Sequence, residues 1–495
     1  MKFKKLVSVL TALIIAAGSA IPLKPLQTFA EDTEILSGDL NEDGTLTVKD
    51  IIFMQKYLCG KIEFTDSKKI HADLNKDSQI NILDYVIMKS ILINSGIPES
   101  EIENAVAYPD MTWFRRSYEK SDTSDYNKFT ANSTAALFAD KESANVNPVY
   151  SPISVYMALS MLAECSNGTT LKEITDTLCA DDIEDLRKSN NDIFNNLYFD
   201  INTEENTAYC KIANSLWLND LYKYNNDTLN TLAHSYYTSS FLKNFADEQT
   251  PNQISKWISN NTSGKFSPEI TISDPAIEVL IIINTITFKD NWAEEFSNSK
   301  KDIFHTIDNE DKECDFLNKT FTNSYVEYGD GFIKTAVEMN NGYKMNFILT
   351  DENTQVDQIV SSPEKLLDIV NKNTESKKAN VIFSVPEFNV KSKFDLISWA
   401  KKLGIESAFT PNADFSKISD MKLAVSEITH EATIQIDEKG CEAAAYTAII
   451  PVCTTGEREE VEDVEFKLDK PFFYYVSDNN GTPVFSGIIN DPTSK

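Results

Sequence analysis

Two twelve-residue segments carry oxygen-bearing side chains at the spacing that surrounds a hard cation. Such loops use side chains at positions one, three, five and twelve, a backbone carbonyl at position seven, and a water-mediated contact at position nine. The predicted ligands are Asp39, Asn41, Asp43, Thr45, Thr47 and Asp50 in the first loop, and Asp73, Asn75, Asp77, Gln79, Asn81 and Asp84 in the second. The pattern predicts two bound Ca²⁺ ions.

A helix-capping turn would explain one Asp-rich loop, but two copies in register favour calcium binding. Ser78 stands where the sharp turn at position six ordinarily takes glycine, and Asp50 and Asp84 replace the longer glutamate of position twelve. Each loop leads into an apolar helical pattern, and no helix-length segment precedes the first loop. We therefore expect a small α-helical module.

This loop-then-helix duplication, over residues 36–96, resembles a dockerin, the module that attaches secreted proteins to cohesins on a scaffold. The resemblance implies a cohesin as a partner, selected in part by loop positions ten and eleven. Those positions hold Val48, Lys49, Ile82 and Leu83 instead of the Ser-Thr pair of the best-known dockerins. The cohesin type is left open.

A second unusual stretch, residues 438–455, reads EKGCEAAAYTAIIPVCTT. It is β-prone and has no proline before Pro451, so an ordinary strand is one interpretation. The other is an exposed loop that later enters a sheet. As a strand it would direct Cys441, Ala443 and Ala445 to one face, and only small side chains fit between existing strands without overpacking.

With its flanks, this stretch resembles the hinge and reactive-centre loop of the serpins. Similarity continues in order over about residues 126–492, and it is most specific at residues 280–292, LIIINTITFKDNW, which match the family's NAxxFKxxW motif. The resemblance implies an α+β serpin fold with a large central β-sheet, helices and an exposed reactive-centre loop, preceded by the small α-helical dockerin. It also places Asn284 and Trp292 at the upper end of that sheet.

The resemblance implies suicide inhibition of a serine protease, in which the loop is cleaved and then inserts into the sheet. The residues matching the hinge are Glu438, Gly440, Cys441, Glu442, Ala443, Ala444 and Ala445. Counting Glu438 as the seventeenth residue before the scissile bond places that bond at Thr454–Thr455. A small β-branched residue there suits subtilisin-like or elastase-like proteases, whereas a shifted register would use Arg458. The alternative is a non-inhibitory serpin that acts as a binding or carrier protein on the scaffold.

The remaining sequence suggests an exported chain. Residues 1–30 are laid out as a signal peptide with cleavage after Ala30 or Ala20, and no later stretch is apolar enough to span a membrane. Residues 97–125 lose periodicity and are predicted to be a linker, with aromatic residues that could pack on a neighbour, before a serpin domain at 126–495. The net charge of −30 argues against nucleic acid or an anionic membrane as partner.

The sequence does not predict an enzyme. His430-Glu431 is not followed by a second histidine at the zinc-protease spacing, and there is no GxSxG, P-loop or GxGxxG motif. A Cys–His nucleophile stays possible from sequence, but nothing favours it, and we expect His430 to be a hydrogen-bonded structural residue. The seven cysteines are scattered without CxxC pairs, so we expect small buried side chains and no disulfide framework.

Overall fold

The structure is a computed structural model, and it describes residues 40, 48–58, 61–74, 79–81, 84–85, 87–88, 105–109, 111, 114, 116–139, 147–202, 207–276, 278–297, 299–371, 374–425, 428–441 and 461–494. Contacts divide the chain into two compact units, Met1–Ile97 and Pro98–Lys495. Each unit is described by itself. Among the described residues, no helix has the length and apolar character needed to cross a membrane.

In the described part of the first unit, two helices with full bounds lie around a small core of their own. Helix α1 spans Val48–Leu58 and helix α2 spans Asp66–Ala72. The α2 helix begins after Thr65, whose side chain accepts a hydrogen bond from the backbone NH of Lys68 at 3.3 Å. The buried core of this unit consists of Leu40, Met54, Phe64, Ala72, Tyr85 and Met88. The predicted apolar helical residues Met54, Tyr85 and Met88 are thus buried together.

The second unit combines helices with two large sheets. Its described helices are α3 (Ser124–Phe138), α4 (Pro152–Cys165), α5 (Gly168–Thr177), α6 (Ile183–Leu197), α7 (Asn226–Ser235), α8 (Thr250–Asn261), α9 (Val356–Val360), α10 (Pro363–Asn371) and α11 (Ile397–Lys402). Its strands are β1 (Ala105–Ala107), β2 (Val149–Tyr150), β3 (Phe199–Asn202), β4 (Thr207–Asn219), β5 (Thr238–Lys243), β6 (Leu280–Asn291), β7 (Ser299–His305), β8 (Asp311–Gly329), β9 (Phe332–Glu338), β10 (Tyr343–Thr350), β11 (Glu375–Pro386), β12 (Phe388–Asp395), β13 (Thr429–Ile436), β14 (Gly440–Cys441), β15 (Asp463–Lys467), β16 (Phe472–Asp478) and β17 (Pro483–Ile489).

The central sheet has the strand order β1-β5-β4-β6-β14-β13-β12, with β3 paired to β4. Its long strands β4 and β6 pair antiparallel from Tyr209 opposite Lys289 to Leu218 opposite Leu280, and β6 is rich in β-branched residues. The second sheet has the order β15-β11-β8-β9-β10-β16-β17-β2, with β7 paired to β8. Strands β16 and β17 of this sheet pair antiparallel as a hairpin.

Helix α4 lies beneath the central sheet, and nearly all of its residues are buried. Ser151 caps it by accepting a hydrogen bond from the backbone NH of Ser154, and Pro152 occupies its first turn, where no intrahelical donor is needed. The Ser154 hydroxyl donates to the side-chain carbonyl of Asn284, whose amide donates to Asn214 at 2.6 Å. This polar chain attaches the start of the helix to two neighbouring strands.

Asn284 therefore lies near the middle of β6, opposite Asn214 of β4, and not at the upper end of the sheet where the resemblance placed it. Trp292, by contrast, directly follows the last residue of β6 and is buried. At this level of the strand, Asn284 lies over the start of α4. Its amide group therefore completes the polar chain that begins at Ser154 of that helix.

The second sheet is attached to the β12–β13 side of the central sheet through buried polar groups. The backbone NH of Val149 in β2 donates to the Ser392 hydroxyl of β12 at 3.0 Å. The backbone NH of Ser151 donates to Nε2 of His430 in β13 at 3.1 Å. Because Nε2 accepts, the imidazole is neutral, and burial lowers the pKa of His430 to about 4. In the structure, His430 is a buried hydrogen-bond acceptor.

Part of the predicted linker, residues 97–125, belongs to the fold of the second unit. Residues Ala105–Ala107 form β1, which pairs antiparallel with β5 at the edge of the central sheet. Helix α3 begins at Ser124, two residues before the predicted start of its domain. The boundaries of the predicted domains otherwise stay predictions.

Of the described cysteines, Cys165, Cys210, Cys314 and Cys441 are buried and Cys179 is partly buried. Cys165, Cys210 and Cys441 belong to the main hydrophobic core. These thiols act as small apolar side chains.

We expect the urea midpoint for loss of the native near-UV signal to fall as the pH decreases from about 6.5 to about 4. An unfolded histidine titrates near 6.5, whereas folded His430 has a pKa of about 4, so the unfolded state binds the extra proton within this window. The contribution is up to about 1.4 kcal/mol per pH unit. His430→Asn should flatten this dependence, whereas the control His234→Asn, on exposed His234 of α7, should not. Equal slopes in all three proteins would contradict the assignment.

Candidate functional site

The predicted hinge begins with a tight turn, residues 437–440, that follows β13. The Asp437 carboxylate accepts hydrogen bonds from the backbone NH groups of Lys439 at 2.9 Å and Gly440 at 3.1 Å. The backbone NH of Asp437 donates to the carbonyl of Gly440 at 3.0 Å. An aspartate that bonds to the backbone two residues ahead is a common way to stabilise such a turn. The hinge therefore leaves β13 in a fixed direction.

The segment after β6 donates hydrogen bonds to the backbone carbonyls of this turn. The backbone NH of Trp292 donates to the carbonyl of Lys439 at 3.0 Å, and its indole NH donates to the carbonyl of Asp437 at 2.9 Å. The backbone NH of Phe296 donates to the carbonyl of Glu438 at 2.9 Å. The Gly440 carbonyl is bonded inside the turn, so the carbonyl groups of all four residues, 437–440, have hydrogen-bond partners. Trp292 is thus both a buried packing residue and a donor to the hinge.

Gly440 and Cys441 form the two-residue strand β14 between the upper ends of β6 and β13. Gly440 pairs with Asn291 of β6, and Cys441 pairs with Asp290 of β6 and with Ile436 of β13. A Cβ on Gly440 would lie 2.4 Å from the carbonyl oxygen of Asp290, so this position requires glycine. The Cys441 side chain is 1% exposed. The hinge is already seated in the sheet over these two residues.

Beyond β14, the edges of β6 and β13 that face each other have no strand partner among the described residues. Strand β6 pairs with β4 on its other edge, and β13 pairs with β12 on its other edge. A narrow cavity of about 40 Å³ lies below Cys441. Its lining includes Ile286, Phe288 and Ile434 on the two strands. Unpaired main-chain groups on such edges can accept a further strand.

A buried carboxylate supports the end of β6. Asp290 accepts hydrogen bonds from the backbone NH of Asn341 at 3.0 Å and from the side-chain amide of Asn341 at 2.8 Å. Burial raises the pKa of Asp290 to about 6, although these donors and Arg116 lower it. Asp290 therefore links the strand that contacts the hinge to the turn between β9 and β10.

The rest of the predicted loop lies outside the described residues. This applies to the hinge residues Glu442, Ala443, Ala444 and Ala445, to the predicted bond Thr454–Thr455, and to Arg458. The chain is described again from residue 461, where it leads into β15, which pairs parallel with β11 of the second sheet. The loop thus connects the central sheet to the second sheet.

In the first unit, the described ligands of the second predicted loop are Asp73, Gln79, Asn81 and Asp84. Asp84 is buried, and its two carboxylate oxygens accept from the backbone NH of Leu74 at 2.8 Å and of Asn81 at 2.9 Å. These hydrogen bonds connect the last position of the loop to its second and ninth positions. A carboxylate retains further lone pairs for a cation, so this donor set of carboxylate and amide oxygens fits Ca²⁺. Asp84 would hold the ion from the end of the loop.

The other predicted ligands are not described with side chains. Asp39, Asn41, Asp43, Thr45, Thr47, Asn75 and Asp77 lie outside the described residues, as do Ile82 and Leu83 of the predicted cohesin surface, while Asp50, Val48 and Lys49 are described only as backbone of α1. Within the described part of the chain, no three His, Cys, Asp or Glu side chains are grouped as a metal site.

Comparison with known proteins matches both units. A family model described as Serpin (serine protease inhibitor) matches residues 124–492, and one for the dockerin type I domain matches residues 37–93. Neuroserpin of Gallus gallus is 27% identical over 371 residues, which cover 72% of this chain and 88% of neuroserpin. Serpin-ZX of Arabidopsis thaliana is 26% identical over 370 residues, which cover 71% of this chain and 93% of that protein.

Solved structures give the same fold. The native state of the thermophilic serpin tengpin aligns with a TM-score of 0.63 at 26% identity, covering 78% of this chain and 100% of tengpin. The fold and the family match over residues 124–492 define a protein of the serpin class. The chain belongs to the serpin family, with a dockerin type I domain ahead of the serpin domain. The predicted fold class is confirmed.

Sequence reasoning identified Gly440, Cys441 and Trp292 but missed the groups that hold them. Asp437, Asp290 and Asn341 carry no motif of their own, and each acts through contacts with residues distant in the chain. The one available signal was Asp437 two residues before Lys439, a spacing typical of turns. Dockerin type I domains bind calcium, which agrees with the calcium ligands predicted in this part of the chain.

We expect Asp84→Asn to weaken the binding of one of the two predicted calcium ions by ~10-fold or more. The substitution removes a ligand charge but keeps the side-chain shape. Isothermal titration of the full chain would measure both sites. The control Glu63→Gln, at an exposed residue between the loops, should bind as the unaltered protein does. Unchanged affinity in Asp84→Asn would remove this residue from the ligand set.

Proposed function

We propose that this protein is a secreted suicide inhibitor of serine proteases that docks to a scaffold cohesin. The observation that carries the inhibitory part is β14, where the hinge already begins a strand between β6 and β13. The facing edges of β6 and β13 lie in line with it. A loop that has started to pair needs only to extend the same register.

Extending the antiparallel register of β14 gives each later residue a defined neighbour. Ala443 would lie opposite Phe288 and Ile434, and Ala445 opposite Ile286 and Ala432, since the pairs already formed fix the count. These four neighbours are buried. Small side chains at the inward positions are therefore required, because larger ones would overpack the core. The alanine run has the composition that insertion needs.

The outward positions also suit insertion. Glu442 would lie opposite Lys289 of β6 in the same register. Opposite charges in directly facing positions stabilise a strand pair, by roughly 0.2–1 kcal/mol relative to alanine. Pro451 lacks a backbone donor, but it comes late in the stretch, after the alanine run has paired. The sequence supports a strand of at least the length from Cys441 to Ile450.

The proposed reaction begins when the serine of the protease attacks the carbonyl carbon of Thr454. The C–N bond to Thr455 breaks, the new amine takes a proton, and Thr454 remains bound to the protease as an ester. The freed loop then enters between β6 and β13 and carries the protease with it. Main-chain hydrogen bonds, each worth about 1 kcal/mol net, and burial of the inward side chains supply the free energy.

For the docking module, we propose two calcium ions and a cohesin surface that includes Val48, Lys49, Ile82 and Leu83. The dockerin match at residues 37–93 supports this assignment. The proposed signal peptide, residues 1–30, would direct the chain outside the cell, where the inhibitor would protect a multi-enzyme scaffold from proteolysis.

The direct test mixes the full chain, at several ratios, with subtilisin, elastase and trypsin, followed by denaturing gels and mass spectrometry. A stable complex with subtilisin or elastase and a released peptide that starts at Thr455 are expected. A peptide that starts at Glu459 would move the bond to Arg458. Cleavage without a complex in every mixture would favour a binding or carrier serpin and refute the inhibitor.

Cys441→Arg should convert the inhibitor into a substrate. Residue 441 is buried between two strands, directly opposite Asp290 and Ile436, and an arginine side chain is far larger than the thiol that fits there, so it would overpack this space. We expect the stoichiometry of inhibition to rise by ~10-fold or more while cleavage persists. Glu465→Arg, at an exposed residue of β15 beyond the loop, is the matched control and should trap protease normally. Normal trapping by Cys441→Arg would show that the hinge does not insert.

A further inference from the structure

Lys68 of α2 contacts the chain on both sides of the first predicted calcium loop, residues 39–50. Its Nζ donates to the backbone carbonyl of Leu40, at the second position of that loop, at 3.0 Å. The same ammonium group lies 5.6 Å from the ring centre of Phe53 in α1, the helix into which the loop leads. One side chain of α2 therefore contacts both the start of the loop and the helix that follows it.

Packing within the first unit fixes the position of Lys68 relative to this loop. Leu40 is fully buried, and the same core contains Phe64, just before the start of α2, and Ala72, the last residue of α2. Thr65 caps the helix between them. A cation that donates to a carbonyl makes a stronger hydrogen bond than a neutral donor, and an aromatic ring nearby adds to the attraction. The Lys68 contacts are therefore formed by packing that does not involve an ion.

The carbonyl that Lys68 binds lies between two predicted ligands. A calcium loop collects side-chain oxygens from positions one, three and five, which are Asp39, Asn41 and Asp43 in this loop. Position two supplies no ligand in such loops, so the Leu40 carbonyl is available to Lys68. A hydrogen bond that fixes the backbone at position two restricts the directions in which positions one and three can point. The bond is thus suited to pre-organise the loop.

The second loop is anchored at the same position by a different group. Leu74 is its second residue, and the backbone NH of Leu74 donates to the Asp84 carboxylate at 2.8 Å. Position two is therefore anchored through its NH in the second loop and through its carbonyl in the first. Both contacts of Lys68 described above go to the first loop and the helix after it. Loss of Lys68 should accordingly act on the first loop and spare the second.

We propose that Lys68 is a positioning residue for calcium in the first loop, which it pre-organises from outside without contacting the ion. This inference rests on the proposed calcium sites. Without Lys68, the loop adopts its ion-binding arrangement for a smaller fraction of the time, and the measured affinity falls by that fraction. Val48 and Lys49 occupy positions ten and eleven of the same loop. The same pre-organisation therefore places part of the proposed cohesin surface.

The test measures calcium affinity by isothermal titration of the full chain in about 0.15 M salt, one loop at a time. Asp84→Asn weakens the second loop and leaves the first as the stronger site, whereas Asp50→Asn does the converse. Lys68→Met is introduced into each of these two backgrounds. Methionine keeps an unbranched, flexible side chain but has neither the charge nor the NH donors of lysine.

Lys69→Met is the matched control, because Lys69 is an exposed residue next to Lys68 on the same helix. It removes the same charge from the neighbourhood of the ion, so it reports the change in long-range electrostatic repulsion alone. Lys68→Arg keeps the charge and several NH donors and can still lie against an aromatic ring. It should restore most of the affinity.

We expect Lys68→Met to weaken calcium binding by ~5-fold or more in the Asp84→Asn background, because a charge-assisted hydrogen bond is lost. In the Asp50→Asn background the affinity should change by less than ~2-fold, as it should for Lys69→Met in both backgrounds. This selectivity separates a positioning role from a general loss of stability, which would weaken both loops alike.

Two failures are distinguishable. If the unaltered chain binds two calcium ions, but Lys68→Met acts no more strongly than Lys69→Met or weakens both loops alike, the positioning role is refuted and the proposed calcium sites stand. If the unaltered chain binds no calcium, the proposed sites fail, and the role of Lys68 fails with them.

Discussion

The facing edges of β6 and β13, which beyond β14 have no strand partner among the described residues, are the constraint on which the rest of the structure depends. Backbone NH and carbonyl groups need partners, and strand edges present them in rows. In the described part of the chain, Gly440 and Cys441 pair with β6, and Cys441 also pairs with β13. The turn at residues 437–440, its donors from Trp292 and Phe296, and the close approach of Gly440 to Asp290 all serve to hold that pair in place.

Buried polar groups determine how the two sheets and α4 fit together. Ser154, Asn284 and Asn214 connect the helix to two strands, and His430 connects β13 to the cap of that helix. Each of these groups would be costly to bury without its partner. Apolar packing alone tolerates small shifts, whereas these hydrogen bonds are satisfied in one arrangement. They fix the position of the facing edges as a consequence.

In the proposed function, the dockerin type I domain supplies attachment and the serpin domain supplies inhibition. The dockerin has its own small core, while the serpin unit has a far larger one. Between them in the chain lies a stretch that sequence periodicity leaves without structure, yet part of it is a strand and another part carries Arg116. The described part of this stretch is therefore packed within the serpin unit.

The sequence by itself determined the family, the fold class and the order of the motifs, because these depend on local patterns: the loop ligands, the β-prone alanine run and the 280–292 motif. It also singled out Gly440 and Cys441 by residue size. It misplaced Asn284 within the sheet and missed Asp437, Asp290 and Asn341. Those roles arise from contacts between residues far apart in the chain, such as Asp290 with Asn341. Only the tertiary structure decided them, because local periodicity does not record which distant carbonyl or carboxylate a side chain will meet once the sheets have packed.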